Sequence, residues 1–287
     1  MIMYMDKNKH YLITGGSGFL AYGLIDYLTN NNIMNISILA RNEGNLIKVK
    51  QMYPHINIIT GNLCDKKVVY KALDGISGVF HLAAFKHVGL AERYPLECIQ
   101  SNINATLTLL ECGLDFDIDF IVGISTDKVC QVSGVYGATK YLMEKIFDDY
   151  EKINKKTQYR IVRYGNVLYS TGSVLCKWKD LIQQGKEVII TDANATRFYW
   201  TVEQAVQLII DCLKNSKDTT PYIPEMKSIR MGDLLRAMIE KYSNGIDIPV
   251  KVIGLQKGEN LHEKIDENGM DSNETPKYSI TEIKKLI

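Results

Sequence analysis

Tyr136 and Lys140 stand four residues apart, a spacing that puts both side chains on one face of a helix. A nearby ammonium group favours the phenolate, and so lowers the pKa of a tyrosine from its usual value of about 10. A phenolate formed near neutral pH can take a proton from a sugar hydroxyl while hydride leaves the same carbon. The pair therefore predicts oxidation of an alcohol.

Thr126, Asp127 and Lys128 precede this pair and add a hydroxyl, an acid and a second amine. Each has an ordinary alternative, because Asp127 could cap a turn, Lys128 could be a surface charge and Thr126 could simply end a strand. Their order just ahead of Tyr136 favours a shared catalytic role instead. Lys128 could act as a base if it is neutral at the moment of proton transfer, which crowding by Lys140 and partial burial would allow.

A glycine-rich loop joins the first predicted strand, residues 11–14, to a predicted helix. Glycines there allow backbone N–H groups to close on a pyrophosphate at the helix N-terminus. A glycine-rich turn can be only a turn, but the strand before it and the helix after it favour dinucleotide binding. The residues predicted to bind the cofactor in this loop are Thr14, Gly15, Ser17, Gly18, Phe19 and Leu20.

The end of the second predicted strand favours NADP over NAD. An acidic residue there would bind the ribose 2′-hydroxyl, whereas this chain has Arg41, whose guanidinium suits a 2′-phosphate. The alternative is a solvated surface arginine. Residues after the third and fourth strands extend the predicted cofactor site, although plain packing would also explain them: Asn62, Leu63, Ala83 and Ala84. Lys86, Tyr136 and Lys140 are predicted to bind the cofactor as well.

Short apolar runs alternate with helical patterns over the first part of the chain. The predicted strands are residues 11–14, 36–40, 56–60, 78–81, 120–125 and 160–163, and the predicted helices are residues 21–29, 66–73, 95–112 and 136–154. This alternation predicts an α/β fold with a doubly wound parallel sheet of the Rossmann type.

Beyond residue 165 the pattern loosens, with helices predicted at 202–214, 231–242 and 281–287. We expect residues 1–165 to form the NADP-binding domain, with late elements around 188–224 returning to it, and residues 166–287 to form mainly a smaller substrate-binding lobe.

Composition excludes several classes of protein. The 287 residues are 46% hydrophobic and 23% charged with a net charge of +1, which gives no footprint for nucleic acid or an anionic membrane. No apolar run approaches the roughly 18 to 20 residues that span a bilayer, and the N-terminus is charged too early for a signal peptide. Six scattered cysteines without clustered histidines indicate reduced thiols and no metal site. We expect a cytoplasmic protein.

Several segments together resemble a known family. Thr14–Gly18 with Tyr136 and Lys140 resembles the extended short-chain dehydrogenases/reductases. More closely, the chain is similar to the inverting UDP-N-acetylglucosamine 4,6-dehydratases of bacterial surface-glycan and flagellin-glycan pathways. The matching segments are residues 84–88, 97–103, 125–128, 136–140, 163–167, 172–174, 196–198 and 258–263.

The resemblance implies a redox-neutral dehydration with a tightly bound, recycled NADP. Tyr136, helped by Lys140 and Thr126, would take the proton of the hydroxyl on sugar carbon 4. Lys128 would then take the proton of carbon 5, and Asp127 would protonate the departing hydroxyl of carbon 6. Retaining relatives carry a glutamate where this chain has Lys128, so the resemblance implies inversion at carbon 5.

The resemblance also implies a UDP-sugar site and a homo-oligomer, either a hexamer or a dimer. The residues carried over to the substrate are Lys86, His87, Asn166, Ser173, Val174, Thr191, Arg197 and Glu259. His87 could equally be structural, and Gln256 stands where the family usually has an arginine for the diphosphate.

Three alternatives remain open: a UDP-sugar 4,6-dehydratase that is also a 3,5-epimerase, another UDP-sugar epimerase or dehydratase, and a catalytically silent NADP-sensing module. The silent modules usually lose the tyrosine or the lysine, and this chain keeps both.

Overall fold

The computed structural model describes residues 5–287, and within that range six strands form one parallel sheet. They are β1 (Tyr11–Thr14), β2 (Ile36–Ala40), β3 (Asn57–Thr60), β4 (Gly78–His81), β5 (Phe120–Thr126) and β6 (Gln158–Tyr164). Their order is β3-β2-β1-β4-β5-β6, the doubly wound order of a Rossmann domain. The predicted fold class is confirmed.

Helices cover both faces of this sheet. They are α1 (Phe19–Asn30), α2 (Glu43–Met52), α3 (Lys66–Leu73), α4 (Val88–Arg93), α5 (Pro95–Ile99), α6 (Ala105–Gly113) and α7 (Val135–Ile153). Side chains alternate along β1, so that Ile13 packs with α1 in one core and Leu12 packs with α3 and α6 in the other. Burial of both faces explains why the strand is a continuous apolar run.

The remaining elements are β7 (Asn166–Val167), α8 (Val174–Gln183), β8 (Val188–Ile190), β9 (Thr196–Trp200), α9 (Val202–Asn215), β10 (Ser228–Arg230), α10 (Met231–Tyr242), β11 (Val250–Val252) and α11 (Ile280–Leu286). A third core joins side chains such as Trp178 of α8, Leu234 of α10 and Ile283 of α11. By contrast, Ala205 and Val206 of α9 lie in the core shared with α1. We keep the division at residue 165 as a proposal, with α9 as the element that returns to the main sheet.

The structure adds elements that the sequence patterns did not predict, namely α2, α4 and α8. The helix predicted over residues 95–112 is interrupted by a π-helical turn, Gln100–Asn104. Asn102 lies in this turn, where its side chain accepts a hydrogen bond from Phe85 N (2.7 Å) and donates one to Thr139 Oγ1 (3.0 Å). The turn therefore ties the loop after β4 to α7.

Candidate active site

A cleft of about 590 Å³ opens at the carboxyl ends of the parallel strands, where ligands bind in doubly wound sheets. Most of the predicted site residues line it: Gly15, Ser17, Gly18, Phe19, Leu20, Arg41, Asn62, Leu63, Ala83, Ala84, Lys86, His87, Thr126, Lys128, Tyr136, Lys140 and Asn166. The others lie outside this lining: Thr14, Asp127, Ser173, Val174, Thr191, Arg197 and Glu259.

The glycine-rich loop leaves room for a ligand against its backbone. Gly15 has φ +66°, and a Cβ atom there would lie 2.7 Å from Ala83 N. Gly18 stands at the N-cap of α1, and a Cβ there would lie 3.1 Å from Gly15 O. These two positions accept only glycine without a shift of the backbone, and they put the N-terminus of α1 on the cleft. The loop fits a pyrophosphate.

Thr14 has a different place from the one predicted. It is fully buried, with its Oγ1 2.8 Å from His81 Nδ1 and accepting from Ala83 N at 3.3 Å. His81 is also within 3.0 Å of Thr106 Oγ1, and burial lowers the pKa of its imidazole to about 3. Thr14 therefore joins β1 to β4 beneath the loop, and its side chain lies outside the cleft lining.

Arg41 lies at the far end of the cleft, at the end of β2, and its side chain is exposed. The next residue, Asn42, caps α2 by accepting from Asn45 N (2.9 Å). Asn62 likewise holds a turn, because its Oδ1 accepts from Cys64 N (3.1 Å). The guanidinium is therefore the charged group that this end of the cleft offers to a ligand.

Tyr136 and Lys140 stand on the first turns of α7 and line the cleft together. Lys140 Nζ donates to Ile124 O (2.7 Å), and burial lowers the pKa of this amine to about 8. Burial raises the pKa of Tyr136 to about 12, opposed by the charge of Lys128 and by Thr126. The pKa of Tyr136 is therefore raised and not lowered as expected, because burial outweighs Lys128 and Thr126, and Lys140 is not among the groups that lower it.

Asp127 and Lys128 form an ion pair in a 3₁₀ turn directly after β5. Lys128 Nζ lies 2.9 Å from Asp127 Oδ1, which also accepts from Thr126 Oγ1 at 2.9 Å. The Asp127 side chain is fully covered, and its Oδ2 has no hydrogen-bond partner among residues 5–287. Asp127 therefore lies behind Thr126 and Lys128, which form the cleft wall.

The expectation of a neutral Lys128 is not met. Burial alone would lower the pKa of its amine, but the charges of Asp127 and Glu263 outweigh burial and raise it. Lys140, which was expected to crowd this amine, instead donates to the β5 carbonyl of Ile124. Lys128 is therefore an ammonium in this structure.

The residues carried over to the substrate divide into two groups. Lys86 and His87 follow β4 at the cleft mouth, where Lys86 Nζ donates to Thr171 O (2.8 Å). Asn166 also lines the cleft, and its Nδ2 donates to Phe198 O (3.4 Å). These three side chains are placed to meet a ligand.

The second group holds the lobe together. Arg197 is buried and donates through Nη1 to Thr196 O (2.9 Å) and Leu261 O (3.0 Å). Glu259 Oε2 accepts from Gln256 N (3.1 Å), so that this carboxylate closes its own loop.

The remaining residues of this second group are Thr191, Ser173 and Val174, which are placed by contacts of the backbone. Thr191 O accepts from Gly254 N (2.9 Å), and Ser173 N donates to Ser170 O (2.8 Å) one residue before Val174 begins α8. Ser170 itself lines the cleft, so the start of α8 lies beside the cleft.

Two buried glutamates were missed by the sequence-based prediction. Glu144 on α7 accepts from Ser125 and pairs with Arg163 Nη2 (2.7 Å), which fixes β5 and β6 against the catalytic helix. Glu263 pairs with Lys128 across the wall of the cleft (3.5 Å). Glu263 lies in the segment 258–263 that carries the family resemblance, so a signal for it was present in the sequence.

Comparisons with known proteins agree with this geometry. The model of the polysaccharide biosynthesis protein family matches residues 11–285. The inverting UDP-N-acetylglucosamine 4,6-dehydratase of Campylobacter jejuni is 34% identical over 265 residues, covering 90% of this chain and 78% of that protein. The X-ray structure of Pen from Bacillus thuringiensis superposes with a TM-score of 0.92 at 26% identity, covering 99% of this chain and 98% of that one.

A relative from Methanocaldococcus jannaschii, described as an uncharacterized membrane protein, is also 34% identical, over 90% of this chain and 80% of its own length. Across residues 5–287 of the present chain, none of the helices has the length and apolar character needed to span a bilayer. The match of the family model over nearly the whole chain confirms the resemblance inferred from the motifs: the chain belongs to the polysaccharide biosynthesis protein family.

Proposed function

We propose that this protein is a hydro-lyase that converts UDP-N-acetylglucosamine to a UDP-4-keto-6-deoxy-N-acetylhexosamine with inversion at carbon 5. The observation that carries the proposal is the ion pair between Lys128 in the cleft wall and Asp127 behind it, in a cleft that Tyr136 and Lys140 also line. An acid, an amine and a phenol at one site match the proton transfers of dehydration. The name of the Campylobacter jejuni relative supports the substrate and the stereochemistry.

The glycine-rich loop would hold a nicotinamide dinucleotide, and Arg41 favours NADP. Gly15 and Gly18 form the tight turn that brings the N-terminus of α1 to the cleft, where it suits a pyrophosphate, and Arg41 offers a planar fork to a 2′-phosphate. When bound, this cofactor would supply the acceptor for the hydride of carbon 4 and return it to carbon 6. The chain's own residues then need only bind the sugar and move protons.

The first proton is that of the hydroxyl on carbon 4, and Tyr136 is the group that would accept it. Since burial holds the proton on the Tyr136 phenol at neutral pH, the phenol would first release this proton to water in the cleft, and the phenolate would then take the proton of the carbon 4 hydroxyl. The neighbouring ammonium of Lys128 favours that loss. Lys140 would orient the sugar or the cofactor from the next turn of α7.

The elimination needs a neutral amine and a protonated acid, and the ion pair can supply both at once. Transfer of one proton from Lys128 Nζ to Asp127 Oδ1, 2.9 Å away, leaves a base that can take the carbon 5 proton. Thr126 Oγ1 lines the cleft and donates to Asp127 Oδ1 (2.9 Å). The proton on Asp127 can therefore reach the departing hydroxyl of carbon 6 through Thr126, and water leaves.

Replacement of Tyr136 by phenylalanine tests this function. Tyr136→Phe should abolish the formation of the keto sugar from UDP-N-acetylglucosamine, because no phenolate can form, yet it should still bind NADP. Tyr141→Phe is the matched control, since Tyr141 stands on the same helix with an exposed side chain. Product formation is followed by proton NMR and NADP binding by calorimetry. Undiminished turnover in Tyr136→Phe would reject the assignment, and NADP binding without turnover by the unmodified chain would favour a silent module.

A further inference from the structure

Glu263 is a second buried carboxylate beside the Lys128 amine, in addition to Asp127. Its side chain is 2% exposed, with Oε1 3.5 Å from Lys128 Nζ and 3.7 Å from Arg197 Nε. Its Oε2 accepts from Asn260 Nδ2 at 3.1 Å. The Lys128 amine in the cleft lining thus has two buried carboxylates beside it. Asp127 is its neighbour in the chain, and Glu263 comes from a distant segment.

Contacts other than the pair with Lys128 hold Glu263 in place. Its backbone N–H donates to Ser272 Oγ (2.9 Å), and Leu261 O accepts from Thr196 N (3.0 Å) on β9. Asn260 Nδ2 also reaches Gln131 O (3.3 Å), just beyond the catalytic turn. The loop is therefore fixed to the lobe and to the segment before α7, so Glu263 can hold Lys128 rather than be held by it.

We propose that Glu263 is a positioning residue that holds the Lys128 amine at the cleft wall and keeps its proton on it. The inference deepens the proposed function and rests on it, since Lys128 is the base proposed for carbon 5. Glu263 then sets how readily the Lys128–Asp127 ion pair converts to the neutral pair that elimination requires.

The charges around Lys128 give the direction of this effect. The titratable and charged groups that face it are Asp127, Glu263, Arg197, Tyr136 and Tyr199. Burial and Arg197 lower the pKa of the amine, whereas the two carboxylates raise it. Without the charge of Glu263, only Asp127 opposes burial and Arg197, so the pKa must fall. A lower pKa means a larger neutral fraction of Lys128 at any given pH.

The test compares the wild-type chain with Glu263→Gln, which keeps the shape of the side chain and removes its charge. Proteins carrying ¹³Cε-lysine are titrated by NMR, and the Lys128 signal is the one missing from Lys128→Met. We expect the midpoint of this signal to fall by about one pH unit or more in Glu263→Gln, the usual effect of losing an opposite charge at this distance. Glu267→Gln, an exposed carboxylate in the same segment, should leave the midpoint unchanged.

Two further readouts separate positioning from a structural role. In Glu263→Gln, the acidic limb of the pH profile for deuterium uptake at carbon 5 should move to lower pH by the same amount. A purely structural loss would reduce activity equally at every pH and would contradict the proposal. Glu263→Asp keeps the charge at a greater distance, so the midpoint of the Lys128 signal should lie between those of the wild type and Glu263→Gln. Glu263→Asp also replaces Glu263→Gln as the test variant should Glu263→Gln not fold.

Equal midpoints in the wild type and in the foldable Glu263 variants would overturn the inference. This titration uses no substrate, so its outcome is independent of whether the chain turns over UDP-N-acetylglucosamine. Absence of product from the wild type would instead overturn the proposed function and leave the result of the titration standing.

Discussion

At the scale of single residues, the site depends on where protons reside among Asp127, Lys128 and Tyr136. In this structure Lys128 carries its proton, and burial raises the pKa of Tyr136 to about 12. Both Lys128 and Tyr136 are thus protonated, whereas the proposed step of each needs the deprotonated form. Proton transfer within the Asp127–Lys128 pair resolves this for the elimination, because one transfer creates the base and the acid together.

Under the proposed function the exposed Arg41 favours NADP over NAD, and this preference can be tested without any turnover. Arg41→Ala should raise the dissociation constant of NADP by roughly tenfold, the loss expected for a charge-assisted hydrogen bond to phosphate. The dissociation constant of NAD, which lacks the 2′-phosphate, should change little. Arg236→Ala, an exposed arginine on α10, is the control. Calorimetry gives the six constants for the wild type and the two variants, and equal changes for the two cofactors in Arg41→Ala would count against the assignment.

The sequence could identify the candidate catalytic side chains but not which of them carry a proton in the folded chain. The order of Thr126, Asp127, Lys128 and Tyr136 is local, and it places these groups on one loop and the helix that follows. The charge on Lys128 depends on Glu263, which comes from a distant segment and meets it only in the folded chain. The partners of Arg197 could not be predicted for the same reason, since the carbonyl at residue 261 comes from that segment too.

At the scale of elements, α7 is the helix that positions the candidate catalytic side chains. It carries Tyr136 and Lys140 at its start and Glu144 one turn later, where Glu144 pairs with Arg163 of β6 (2.7 Å). Arg163 Nη1 also donates to Ile265 O (2.8 Å). One buried pair thereby joins the catalytic helix, the edge of the sheet and the segment that carries Glu263.

Breaking this pair should destabilise the whole protein. Glu144→Gln leaves the charge of Arg163 buried without its partner, which costs about 3 kcal/mol or more of the free energy of unfolding. Asp149→Asn, on the exposed face of the same helix, should change that free energy little. Urea denaturation followed by circular dichroism measures both. A Glu144→Gln variant as stable as Asp149→Asn would show that the pair does not hold the site together.

The elements whose bounds were predicted correctly are those in which apolar residues recur at the spacing of a strand or a helix. The strands β1, β2 and β4 and the helices α3 and α10 have the predicted bounds, because their apolar residues repeat without interruption. The helix α2 was missed, since only Leu46 and Val49 are buried on it, while its other large apolar side chains, Ile47 and Met52, are exposed. The π-helical turn at 100–104 could not be predicted, because it depends on the contact of Asn102 with the loop after β4.

At the scale of the molecule, the cleft lies between the parallel sheet and the lobe that follows it. The loop 258–263 belongs to the later part of the chain, yet it contacts the segment between β5 and α7. Asn260 Nδ2 donates to Gln131 O, and Ser133 Oγ donates to Gly258 O. The proposed proton chemistry is therefore shared between the two parts of the chain, and a nucleotide-binding domain alone would lack Glu263. A homo-oligomer stays a prediction, since the fold of one chain does not test it.

The central claim is dehydration with inversion at carbon 5, and the most direct measurement is proton NMR of the purified protein with UDP-N-acetylglucosamine in heavy water. The account predicts a new methyl signal, deuterium at carbon 5 and the couplings of the L-arabino ketone, all absent from Lys128→Ala. A D-xylo ketone would contradict the inversion, and an unchanged substrate would contradict the proposed function itself.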